Sequence, residues 1–228
     1  MITIENVEIF GFETSIRGCR NAFNSWSKSD SCWEQIENPQ TMNTAKFQFH
    51  LGEADFELMK KLAAAGNDHG KFMRMINVTC DIIAPLYWWK EFDTYKVGTV
   101  ANSCSTMHKI ADKEFTLDDF SCEHLWGERD ALDVSEPIGA LNLMIDVLNA
   151  NREEYLHTKN KLFWWQMIQL LPCSYNQRRT VQLNYAVLKN MYHARRAHKL
   201  NEWHDFCHWI EELPYSELII GEKENERE

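Results

Sequence analysis

Pro85-Leu-Tyr-Trp-Trp-Lys-Glu-Phe-Asp-Thr-Tyr-Lys-Val-Gly-Thr-Val-Ala-Asn-Ser-Cys-Ser-Thr-Met-His108 is the stretch on which the fold reading turns. Pro85 ends the element before it, and proline is tolerated in the first turn of a helix, where its missing N–H has no partner to lose. Leu86 to Tyr95 therefore reads as a helix rich in aromatic residues. From Val97 to His108 the composition turns small and polar, with Gly98, Asn102, Ser103, Cys104, Ser105 and Thr106 close together. These residues show neither the alternation of a packed strand nor a helical stripe, and they leave backbone amides and hydroxyls open to a ligand. The segment predicts a binding loop carried by a helix.

Immediately upstream, Arg74 to Ile83 alternates, with Ile76, Val78, Cys80 and Ile82 on one face and Asn77, Thr79 and Asp81 on the other, which predicts a strand. Gly66 to Gly70 is a turn that sets His69 just before it, and Gly66 also stops a helix running from Asp55 to Ala65. Ala45 to Leu51 and Ile2 to Phe12 alternate as strands, and Thr14 to Trp26 suits a helix with Arg17 and Arg20 on one side. Downstream, Lys109 to Asp133 is loop-like apart from a short helix at Leu117 to Phe120. Ser135 is the expected N-cap of a long helix carried by Ile138, Leu141, Leu143, Ile145 and Leu148. A second helix spans Asn160 to Leu171 and is broken by Pro172; a third runs from Gln177 to Ala194, a fourth from Lys199 to Leu213. No repeat or linker interrupts this order. The expectation is a single α+β domain over 1–220, with a small N-terminal sheet and a helix-rich C-terminal half, and a charged flexible tail over 221–228.

The 228 residues carry a hydrophobic fraction of 44%, enough for a sizeable core, while nine glycines and five prolines are too few for a low-complexity chain. The net charge of −10 argues against general binding to nucleic acid or anionic membranes. No apolar run reaches a membrane span and no signal-peptide pattern opens the chain. Seven scattered cysteines without a CxxC pair fit reduced thiols. A cytoplasmic protein is expected.

The order of elements resembles the flavin-dependent thymidylate synthase family. There, a strand and proline lead into the motif RHRxxSxNExSxRY; here Pro85 leads at the same spacing into Thr94 to Met107. His69 stands where the family has a flavin-contacting histidine. Leu171-Pro172 followed by Asn184, Asn190 and Arg195 matches the family's Leu-Pro and the ligands on its long helix, and Arg17-Gly-Cys-Arg20 looks like its arginine-bearing first helix. Glu202-Trp203 resembles the family's Gln-Trp after one inserted residue. The resemblance implies an α+β homotetramer that binds FAD and a pyrimidine nucleotide and acts as a transferase of nucleotide metabolism, reduced flavin passing a hydride to a methylene intermediate at the pyrimidine C5.

The motif departs from its pattern. Its RHR is Thr94, Tyr95 and Lys96 here; its Glu is Asn102, its Ser is Cys104 and its later Arg is Thr106. A phosphate-binding arginine ahead of the Leu-Pro becomes Ile168. Each charged hydrogen bond lost removes about 1.5–3 kcal/mol of ligand binding. The resemblance thus implies a divergent member acting on a changed substrate or one-carbon donor, or alternatively an inactive nucleotide-binding or structural homo-oligomer of the same fold.

The implied flavin contacts are His69, Tyr95, Asn184, Asn190 and Arg195, with Arg196 as the alternative cleft arginine. Lys96, Asn102, Ser103, Ser105 and Thr106 would shape the substrate side, and Arg178 or Arg179, at the start of the third expected helix, would supply a relocated anion contact. Cys104, with His108 four residues on, is a candidate nucleophile, and Arg195 the second catalytic candidate. His204 and His208 lie one helical turn apart, but spacing puts no third ligand beside them, so no metal is expected.

Overall fold

The structure is a computed structural model and describes residues 2–36 and 46–221. Its main sheet has four strands: β1 (Thr3–Phe10), β4 (Asn77–Pro85), β5 (Val100–Ser103) and β6 (Asn176–Asn184), in the order β1-β4-β6-β5. A separate antiparallel pair joins β2 (Cys32–Ile36) to β3 (Lys46–His50), with Cys32 opposite His50. β4 follows its alternation: Ile76, Val78, Cys80, Ile82 and Ala84 are all at most 1% exposed. The expected strand at Ala45 starts outside the described residues, as does all of the expected tail but Gly221. Among the described residues no helix is long and apolar enough to cross a membrane.

Two elements differ from the sequence reading. The third expected helix, from Gln177, is two elements: β6 and then α7 (Tyr185–Arg195). Gln177, Val181 and Leu183 are buried while Arg178, Thr180 and Gln182 are exposed, a period of two that the helical stripe beginning at Tyr185 conceals. The expected binding loop is instead the edge strand β5 followed by the short helix α4 (Thr106–Lys109). All four β5 residues are exposed, so neither face imprints an apolar pattern on the sequence. Hydrogen bonds to β6 fix the end of the segment: Cys104 N donates to the Arg178 carbonyl at 2.9 Å, and the Gln177 side-chain Nε2 donates to the Cys104 carbonyl at 2.9 Å.

Helix ends differ by smaller amounts. α3 spans Leu86–Phe92, which leaves Thr94 and Tyr95 beyond it. α5 (Pro137–Thr158) starts after Glu136 rather than Ser135, whose backbone N–H donates to Asp133 Oδ1 instead.

The chain forms two compact units. One comprises Asp81–Thr94 and Ala101–Val181 with the start of β1; the other comprises Asn6–Cys80, Tyr95–Val100 and the chain from Gln182 onward. In the first, α5 and α6 (Lys161–Leu170) enclose Phe115, Phe120, Leu141, Ile145, Leu148 and Met167. In the second, α7 and α8 (Asn201–Glu211) bury Leu188, Met191, Trp203, Phe206 and Ile210. Each such side chain contributes about 1.5–3 kcal/mol of transfer free energy.

Candidate functional site

α7 begins at Asn184, whose Oδ1 accepts from Val187 N at 3.1 Å and satisfies one of the helix's free N–H groups. With the carbonyl oxygen so used, the amide nitrogen of Asn184 lies beside Gly98: a Cβ there would sit 3.0 Å from Asn184 Nδ2 and from Val187 Cγ2. Gly98 has φ +80, which glycine adopts without strain. These residues border a cavity of about 640 Å³ in the second unit. Asn67, Arg74, Lys189, Asn190 and His193 line it too, and its described lining holds no carboxylate. For a chain of net charge −10, that is a local reversal of sign. Arg74 has no ion-pair partner among the described residues. Lys189 Nζ donates to the Ala63 carbonyl at 2.8 Å, and burial holds its pKa below the ordinary lysine value. The first turn of α7 adds the positive end of a helix dipole.

Of the predicted flavin contacts, Asn184 and Asn190 line this cavity. His69 is exposed in the turn whose Gly66, Asn67 and Gly70 line it. Tyr95 and Arg195 are engaged with one another: Arg195 Nε donates to the Tyr95 hydroxyl at 2.9 Å, and its guanidinium lies 4.8 Å from the Trp203 ring centre and 5.5 Å from that of Tyr95. Arg196 is exposed at the end of α7, so of the two arginines Arg195 is the one turned inward. Arg74, Lys189 and His193 were missed. Helical spacing was the available signal for two of them, since Ala186, Asn190 and His193 fall on one face of α7 and Lys189 is adjacent.

A second cavity of about 460 Å³ lies in the first unit, lined by Cys104, Ser105, Thr106, Lys109, Tyr175 and Arg178 among others. It gathers four of the predicted substrate-side or catalytic residues. Ser105 Oγ caps α4 by accepting from His108 N at 3.3 Å. Burial, then the nearby Asp119 and Cys104, pushes the Tyr175 hydroxyl above its usual range. Arg178 is not at a helix start; it lies on β6, paired with Glu5 and, at 3.7 Å, with Asp81. Arg179 points the other way, with its guanidinium 4.2 Å from the Trp89 ring centre and 2.7 Å from Asp93. Lys96, Asn102 and Ser103 are exposed.

Arg20, on α1 (Phe12–Asn21), is buried: Nε donates to Asp55 Oδ1 at 2.8 Å, and Nη2 lies 2.7 Å from the same oxygen. The other carboxylate oxygen accepts from Ser29 Oγ at 2.6 Å and Ser31 Oγ at 2.7 Å. Arg20, part of the segment that resembles the family's arginine-bearing first helix, is thus fixed in the framework.

No family profile matches the sequence, and no curated protein does. Solved structures match in fold. The flavin-dependent thymidylate synthase ThyX from Helicobacter pylori, complexed with FAD and dUMP, superposes with a TM-score of 0.61 at 15% identity over 94% of this chain and 95% of that one. The UMP/dUMP methylase PolB from Streptomyces cacaoi, bound with 5-Br dUMP, gives 0.62 at 14% identity over 95% and 93%. The fold is therefore that of the flavin-dependent thymidylate synthases, as the family resemblance implied.

Proposed function

We propose that this protein binds a phosphate-bearing nucleotide cofactor, with FAD the first candidate, in the cavity at the start of α7, and a pyrimidine nucleotide as substrate or ligand in the cavity beside Cys104. One observation carries the reading: an acidic chain keeps carboxylates out of the described lining of one cavity and supplies it with Arg74, Lys189, His193 and a helix N-terminus. That donor set fits the phosphate part of FAD. Arg74 and Lys189 would hold the charge, while Asn67, Asn184 and Asn190 would hydrogen-bond neutral edges. The bare Gly98 would let the ligand approach the backbone.

A bound flavin would supply hydride chemistry at a pyrimidine carbon. The chain's own contribution would be to bind and orient, with Ser105, Thr106 and Arg178 facing the nucleotide and Tyr175, kept protonated by burial, donating a hydrogen bond. A methyl- or one-carbon transferase of nucleotides, working as a homotetramer, is the activity this favours. A second reading, nucleotide binding without catalysis, is favoured by the engagement of the Arg195 guanidinium with Tyr95 and Trp203.

Titration of the purified chain with FAD, followed by quenching of flavin fluorescence, tests the proposal. Saturable binding that Arg74→Ala weakens at least tenfold is expected; no quenching at tens of micromolar protein would sink it. Nucleotide-dependent NADPH oxidation by the flavin-loaded protein would separate the two readings.

A further inference from the structure

Cys173 lies in the turn between α6 and β6, and Lys90 lies in the last turn of α3, both in the first unit. Both are exposed, and Lys90 Nζ lies 3.4 Å from Cys173 Sγ. Lys90 has no other partner among the described residues. The two segments are already registered by backbone bonds, since Leu86 N donates to the Tyr175 carbonyl and Tyr87 N to the Cys173 carbonyl, each at 3.0 Å. The approach of amine to sulfur is therefore set by the fold and not by two free side chains meeting at random. Reactive thiols are partly exposed and lie beside cations. Of the exposed cysteines, Cys32 instead faces a carboxylate oxygen of Glu34 at 3.8 Å.

The geometry points to Lys90 and Cys173 as an oxidative modification site, at which a peroxide joins the two side chains through a nitrogen–sulfur bond. The cysteine sulfur attacks one peroxide oxygen; the O–O bond breaks, and the departing hydroxide takes the thiol proton as water. Sulfur is oxidised to the sulfenic acid and the peroxide is reduced. The Lys90 amine, having lost one proton to solvent, then attacks that sulfur. The S–N bond forms, the S–O bond breaks, and hydroxide leaves with an amine proton as a second water. One amine, one thiol and one peroxide thus give a sulfenamide and two waters.

The link closes a loop between positions 83 residues apart, fastening α3 to the turn that receives its first N–H groups. A closed loop of that length raises the melting temperature of the oxidised chain by about 9–18 °C. A further consequence is that Cys173 is diverted from irreversible oxidation, because a thiol reductant reopens the sulfenamide.

The test treats the full chain with dilute hydrogen peroxide at mildly alkaline pH and maps peptides without reductant. Wild type, Lys90→Arg and Cys173→Ser are compared. The expected product is a linked peptide pair holding Lys90 and Cys173, lighter by about 2 Da than the two reduced peptides together and released by dithiothreitol. Lys90→Arg keeps the positive charge but gives no link, and its Cys173 accumulates as sulfinic acid at least fivefold faster. Equal rates of sulfinic acid formation at Cys173 in wild type and Lys90→Arg would overturn the proposal, as would a link from Cys173 to any residue other than Lys90.

Discussion

Asp55→Asn tests the framework under the α7 cavity's unit at its most exacting point. The carboxylate is buried at 1% exposure on α2 (Glu53–Ala64) and accepts from Arg20, Ser29 and Ser31 at 2.6–2.8 Å. Asparagine keeps the volume but turns an NH₂ group toward donors and strands the Arg20 guanidinium, itself 7% exposed, without a counter-charge. Breaking a buried pair from one side costs about 3–5 kcal/mol. At about 2–4 °C per kcal/mol for a chain of this size, the melting temperature should fall by about 6–20 °C. The pH dependence carries a sign. Burial alone would raise the Asp55 pKa, but the hydrogen bonds from Ser29, Ser31 and Arg20 and the guanidinium charge outweigh it and hold it below the usual value. A carboxylate with a lowered folded pKa stabilises above its unfolded value of about 3.9 and loses that contribution as pH falls through the folded pKa. The gap between wild type and Asp55→Asn, measured by circular dichroism melts, is therefore full at neutral pH and narrows below about pH 4. A variant melting within about 2 °C of wild type at pH 7 would refute the reasoning.

Lys189→Met should weaken anion binding in the same unit and remove its alkaline limb: because burial lowers the Lys189 pKa, the charge, and with it affinity, is lost on raising pH before an ordinary lysine would titrate. Affinity measured from pH 7 to 10 checks this. Gly98→Ala puts a Cβ 3.0 Å from Asn184 and Val187 at φ +80; it should cost about 1–3 kcal/mol of stability and reduce cofactor affinity, read by melting and titration. Arg195→Ala removes a guanidinium held by two rings and a hydroxyl, so a loss of about 1–2 kcal/mol in denaturant melts is expected. A homotetramer would scatter light as a particle of four times the 26.9 kDa chain mass.

Much of the fold was legible because β4, α2, α5 and α8 bury one face each and so write a period into the sequence. β5 was not, since an edge strand with all four residues exposed is specified by the partner backbone rather than by its own side chains. β6 was obscured by running straight into α7 without a turn residue between them. Asn184 and Asn190, which the family resemblance singled out, line the candidate cavity. Arg74 and Lys189 also line it but carry no sequence signal of their own, because a lone cation on a helix or turn looks the same whether it faces solvent or a cavity. The engagement of Arg195 depends on Tyr95, 100 positions away, and no local pattern reports it.

A cavity with no carboxylate in its described lining would have a consequence for how an anionic ligand arrives. At long range an anion meets the field of a molecule with ten excess negative charges and is repelled. Within the cavity it meets cations, an amide row and a helix end. Added salt screens the first interaction over a Debye length of about 10 Å at 0.1 M and screens the partly buried contacts less. If the cavity binds an anion as proposed, moderate ionic strength would speed capture while loosening the bound state only a little. On the proposed role, charge would act on the ligand twice, with opposite signs, which would favour a compact anion on an otherwise neutral body.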